Sequence, residues 1–144
     1  MIRKISAERA SLFLTCLWIF FFLISLSTLL WLLFVNYIEE LTFRSGIEDI
    51  STLYVPYLGA ILGFYFAKRA KAKLPTGMRR GAFISAVAVS AIWNFVVIVP
   101  ILLVPMHRLV WENAIKLASS SGAVLSWLVA PVIGYYFGKS DQKP

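Results

Sequence analysis

Few side chains in this chain are of a type that does chemistry, and their spacing argues against most of it. There is one cysteine, Cys16, and one histidine, His107. A disulfide framework within the chain and a multi-ligand Cys/His metal site are therefore both excluded. His107 has no acid within a helical turn on its N-terminal side, so no Ser/His/Asp constellation is placed to act; it reads as an interfacial polar residue. Glu39, Glu40, Glu48 and Asp49 gather in one segment. Their spacing does not match a calcium-binding loop, and they read as a solvated acidic stretch. No Gly-rich phosphate loop is present, and Leu74-Pro75-Thr76-Gly77 reads as a turn. The sequence thus calls for no cofactor and no catalytic residue.

What remains is polar rather than reactive. Asn94, Ser90, Ser25 and Thr28 sit in the middle of long apolar runs. An amide left unpaired in hydrocarbon is costly, so Asn94 should find a partner. The candidates are Ser25 or Thr28, a carbonyl freed by proline, or Asn94 of another subunit. Two functional readings follow: a hydrogen bond between helices, or a polar path lined by several copies. No acid or base lies deep in any run, which argues against a proton-coupled carrier.

The elements that hold these residues are set by charge. Hydrophobic residues make up 60% of the 144, and charged residues only 15%. Ordinary soluble domains run about 25% charged. Four stretches lack any Asp, Glu, Lys or Arg: Ala10–Ile38, Ile50–Ala67, Gly81–His107 and Leu117–Gly138. A membrane-spanning helix needs about 20 mostly apolar residues, and lipid forces helix because it offers the backbone no partners. The fold class predicted is an all-α membrane protein of four transmembrane helices, over about 11–36, 51–67, 81–104 and 120–138, forming one integral membrane domain. Outer segments 37–50 and 105–119 are expected to hold short surface helices. The apolar run Leu12–Val35 is too long for a signal-peptide core, so the first span is read as retained.

Positive charge orients the spans. Arg3, Lys4 and Arg9 precede the first, and Lys139 and Lys143 follow the last. The loop 68–80 carries Lys68, Arg69, Lys71, Lys73, Arg79 and Arg80 with no acid. These segments should face the cytoplasm, with both termini inside, as in a prokaryotic plasma membrane. The same six charges suit anionic lipid headgroups or an acidic partner. The loop lacks the aromatic residues that stack on bases, so no specific nucleic acid is expected.

An offset of 71 residues lays Gly63-Phe64-Tyr65-Phe66-Ala67-Lys68 on Gly134-Tyr135-Tyr136-Phe137-Gly138-Lys139. The halves 1–72 and 73–144 thus read as a possible tandem repeat of two-helix hairpins. Both hairpins would start and end inside, so the expected axis runs along the membrane normal. Within the matched blocks, Gly59, Gly63 and Ala67, and Ala130, Gly134 and Gly138, recur at intervals of four. Such stripes let another helix approach closely. Span one carries Trp18, Phe20, Phe21, Phe22, Trp31 and Phe34 and is placed at the periphery. Pro56 is expected in the first turn of span two, and Pro131 should kink span four.

The functional expectation is a non-enzymatic small membrane protein, acting as an oligomer or as a subunit of a larger membrane assembly. The alternative is a pore-forming or membrane-disrupting effector built from several copies. A small carrier or lipid-modifying enzyme is the weakest of the three.

Overall fold

The computed structural model describes residues 7–70 and 80–137, with side chains over 9–63 and 83–135. These residues form four helices: α1 (Ala7–Phe34), α2 (Glu40–Ala70), α3 (Arg80–Leu103) and α4 (Trp111–Phe137). Three contain stretches long and apolar enough to cross a membrane, Arg9–Phe34, Phe83–Leu103 and Trp111–Tyr135. The described part of α2 is not among them, since its N-terminal turns carry Glu40, Arg44, Glu48 and Asp49.

The outer segments differ from the sequence expectation. Residues 40–50 are not a separate surface helix but the first turns of α2, and 111–119 are the first turns of α4. No glycine pair or proline interrupts either junction, so the helical ladder runs through it. At about 1.5 Å per residue, the 31-residue α2 is roughly 46 Å long, more than the roughly 30 Å of hydrocarbon in a bilayer. Pro56 consequently lies inside α2 rather than in a first turn. There it withdraws the partner of the Thr52 carbonyl. Pro131 lies inside α4 as expected.

The α1–α2 and α3–α4 turns are closed in one way. Asn36 and His107 take left-handed backbone angles, each with φ 54°. The Asn36 N–H donates to the Leu33 carbonyl at 3.0 Å, and the Tyr37 N–H to Leu32 at 2.9 Å. The His107 N–H donates to Val104 at 2.9 Å, and the Arg108 N–H to Leu103 at 3.1 Å. Each pair is a Schellman cap, which satisfies carbonyls that the helix end would orphan. Asn and His are among the non-glycine residues that tolerate this conformation best.

Around the bundle the neighbours run α1, α2, α4, α3. Helices α1 and α3 lie parallel, touching near one end through Phe13 and Phe83 and near the other through Tyr37 and His107. A rotation about the membrane normal relating the hairpins would set α1 diagonally across from α3. Here they are neighbours, so the axis expected from the sequence is absent.

Helix α1 is not peripheral either. Its residues Leu14, Trp18, Leu29 and Leu32 are fully buried, while Phe20, Trp31 and Phe34 point outward. The apolar residues surround α1 on all sides, so composition could not reveal which stripe faces the core.

Candidate functional site

The centre of the bundle is a cluster of four aromatic side chains from three helices. Trp18 of α1 packs on Trp93 of α3 with ring centroids 4.9 Å apart, and on Tyr57 of α2 at 4.7 Å. Tyr54 closes on Trp93 edge-to-face at 5.7 Å and on Trp18 at 6.3 Å. The fourth helix is joined by a hydrogen bond: the Trp93 indole Nε1–H donates to the Gly122 carbonyl at 2.9 Å. An edge-to-face aromatic pair contributes about 0.5–1.5 kcal/mol beyond its buried area.

Two glycines make the cluster and its outer neighbour fit. A Cβ on Gly122 would lie 3.2 Å from Val97 Cγ2 and 3.3 Å from Trp93 Cζ2. On Gly46 it would lie 2.8 Å from Leu29 Cδ1 and 2.9 Å from Trp111 Cζ2. Helix α2 therefore approaches α1 and α4 at Gly46, and α4 approaches α3 at Gly122. Sequence reasoning missed both: Gly46 has no small residue four positions away, and Gly122, although Ala118 and Ser126 flank it at that spacing, lies outside the two matched glycine blocks. The available signal was size complementarity, a glycine facing a tryptophan.

The predicted packing stripe lies elsewhere. Gly59, Gly63 and Gly134 have nothing within 4 Å of the position a Cβ would take. Together with Ala130 they are exposed on the outside of the bundle. The Ala67 side chain and Gly138 lie outside the described residues. No helix of this chain occupies the stripes at their described positions.

Of the four predicted polar residues of the spans, three are inside and Thr28 is half-buried. Ser25, Ser90 and Asn94 are fully buried. Asn94 Nδ2 donates to the Ser90 carbonyl of its own helix at 2.8 Å. The Ser25 hydroxyl donates to the Phe21 carbonyl at 3.0 Å, and Thr28 to Ile24 at 2.9 Å. The expected bond from Asn94 to Ser25 or Thr28 is therefore replaced by contacts one helical turn back. Asn94 Oδ1, Ser90 Oγ, Tyr54 OH, Trp18 Nε1 and Trp111 Nε1 are buried with no hydrogen-bond partner. The Tyr54 hydroxyl faces Ser25 without completing a bond, whereas the Tyr57 hydroxyl meets Ser126.

This arrangement has no nucleophile paired with a base. Among the described residues no three of His, Cys, Asp and Glu come together as a ligand set. At the N-terminal end of α2, Arg44 pairs with Glu40 in an exposed i,i+4 contact. Burial, and then the adjacent Glu48, push the Asp49 carboxyl above its ordinary pKa. Lys71, Lys73 and Arg79 of the basic loop lie outside the described residues; of Lys68, Arg69 and Arg80 only the helical backbone is described. Comparison of the chain with protein-family models, curated proteins and solved structures returns no match.

Proposed function

We propose that this chain is a four-span integral membrane protein with both termini cytoplasmic, without catalytic activity. It works as a homo-oligomer or as a subunit of a larger assembly in a prokaryotic plasma membrane. Helix α2 is the fourth span, held antiparallel to α1, with its charged outer turns projecting past the headgroups. Anionic lipid heads occupy the basic loop Lys68–Arg80.

The observation that carries the reading is the open small-residue surface of α2 and α4. Tight packing inside the chain uses Gly46 and Gly122, whereas Gly59, Gly63, Ala130 and Gly134 face outward. In hydrocarbon, another helix gains more contact on such a surface than lipid tails do. For a pore lined by Ser25, Thr28, Ser90 and Asn94 of several copies this geometry offers little support, since Ser25, Ser90 and Asn94 close on the interior of a single bundle and Thr28 is half-buried.

The test has two parts. In a Cys16→Ser background, cysteines at Ser45 and Ser119 should react with impermeant reagents from outside intact cells, and one at Thr76 should not. Native mass spectrometry in mild detergent should find multimers or a co-purifying membrane subunit, both weakened by Gly63→Leu or Gly134→Leu. Labelling of Thr76→Cys from outside overturns the orientation, and a lone monomer in detergent and in bilayers overturns the assembly.

A further inference from the structure

The outer turns repeat with one period. The two Schellman caps stand on Leu32 to Tyr37 and on Leu103 to Arg108, 71 residues apart bond for bond. The following helices restart on Glu40 and Trp111, at the same spacing. Their first bonds, Phe43 N–H to Glu39 and Ala114 N–H to Val110, keep it too. This is the offset that aligns Gly63–Lys68 with Gly134–Lys139. The two matches are independent, one in side-chain identity at the inner ends and one in backbone conformation at the outer ends.

The two hairpins nevertheless bury different faces. Leu14, Trp18, Leu29 and Leu32 are buried in α1, but their counterparts Ser85, Val89, Pro100 and Leu103 in α3 are not. Conversely, Ser90, Trp93, Asn94, Val97 and Ile101 are buried in α3, whereas Ile19, Phe22, Leu23, Leu26 and Leu30 in α1 are not. The second helices behave alike. Ile50, Tyr54 and Ile61 of α2 are buried and Ser121, Leu125 and Val132 of α4 are not. Ala118 and Ile133 of α4 are buried and Ile47 and Leu62 of α2 are not. A two-fold rotation would bury equivalent positions in both hairpins. A side-by-side displacement buries the front of one against the back of the other, which also gives the neighbour order α1, α2, α4, α3. Such a contact is heterologous, and it leaves one front and one back open.

We infer that the chain is two copies of one helical hairpin docked front to back, and that a second copy of the chain continues the series, the open front of α3–α4 seating on the open back of α1–α2. The inference rests on the oligomeric reading above but not on its small-residue surface. Moving each internal contact by 71 residues gives the contacts of the new interface. Phe13 with Phe83 becomes Ile84 of one copy with Leu12 of the next. Trp18 with Trp93 becomes Val89 with Phe22, and Tyr57 with Ser126 becomes Leu128 with Val55. Every member is apolar, and Leu12, Ile84, Val55 and Leu128 are exposed in the single chain.

The test is cross-linking of mixed chains in liposomes, in a Cys16→Ser background. Differently tagged Leu12→Cys and Ile84→Cys chains, oxidised together with copper phenanthroline, should give the mixed dimer. Each alone should give none. The double variant should give a ladder of multimers. Val55→Cys with Leu128→Cys, on the other helices, should repeat the pattern, so poor folding of one pair does not decide the matter. Multimers by native mass spectrometry with no mixed dimer from either pair, or with self-dimers of the single variants instead, overturn the front-to-back contact and leave the oligomeric reading standing. Monomers by mass and by cross-linking overturn both.

Discussion

One change, glycine to alanine, should have three different outcomes at three positions of this protein. In a helix the change is favourable by about 0.5–1 kcal/mol when nothing opposes it, because the unfolded chain loses freedom. At Gly59 nothing lies within 4 Å, so the full gain should appear. At Gly122 the new methyl would sit 3.2 Å from Val97 and 3.3 Å from Trp93. Those neighbours must yield by a few tenths of an ångström, which should cancel the gain. At Gly46 it would meet both methyls of Leu29, at 2.8 and 3.0 Å, and the Trp111 ring at 2.9 Å. Leu29 and Trp111 are themselves buried, so neither has room to swing aside. Overpacking of a filled site costs typically 1–3 kcal/mol. Set against the helix gain, Gly46→Ala should lose about 1–2 kcal/mol. The assay is reversible unfolding by steric trapping, in micelles dilute enough to hold single chains. A Gly46→Ala protein as stable as Gly59→Ala would refute the claim that α2 meets α1 and α4 at that glycine.

Other substitutions test the interior. Asn94→Leu removes a buried Oδ1 with no partner and should raise stability by about 1 kcal/mol in the same assay, since an unpaired buried acceptor costs about 1–3 kcal/mol; a clear loss would mean that the amide bonds across helices. Trp93→Phe deletes the 2.9 Å bond to the Gly122 carbonyl and part of the ring stack, and should lose about 1–3 kcal/mol, read from unfolding. Asp49 is raised by burial first and Glu48 second. A raised folded-state value means that its stabilising contribution is present at acid pH and fades as pH climbs out of the ordinary carboxylate range through the raised value. Asp49→Asn should flatten that slope and be the more stable protein at neutral pH; an unchanged pH profile would show that the carboxyl is solvated.

Helices α1 and α3 were legible because charge marks their starts, whereas α2 and α4 begin at Glu40 and Trp111, ahead of the apolar runs read from 51 and 120. Arg9 and Arg80 sit at or near the starts of α1 and α3, and few residues elsewhere compete with that signal. The faces were not legible. In a soluble helix the buried stripe is the apolar one, whereas α1 is apolar all round, and Trp18 looks in sequence like Phe20 beside it. Spacing failed for a related reason. Gly59 and Gly63 announce a place where helices can meet, but the pattern does not say whether the visitor is internal. Gly46 announces nothing alone, and the spacing Ala118, Gly122, Ser126 names no partner; the meaning of both glycines resides in Trp111 and Trp93, which come to face them only in the bundle. Asn94 was expected to reach Ser25 or Thr28 and instead donates within its own helix. A serine or asparagine in a helix always has a carbonyl one turn back, and that local offer competes with any distant one.

The Schellman caps bear on how the protein is made. Chains emerge at about 5–20 residues per second, so a hairpin of this length precedes its successor by roughly 4–14 s. If α2 spans as proposed, α1 and α2 stand in lipid during that interval, before α3 covers Trp18 and Tyr54. Asn36 and Tyr37 already close the backbone at the tip of α1, and Ser25 and Thr28 already donate to carbonyls of their own helix. None of these bonds needs the second hairpin. On that reading the first hairpin is a self-sufficient insertion unit, tolerable to the bilayer while synthesis continues. On the same reading, its aromatic face is the surface that Trp93 of the α3–α4 pair comes to cover.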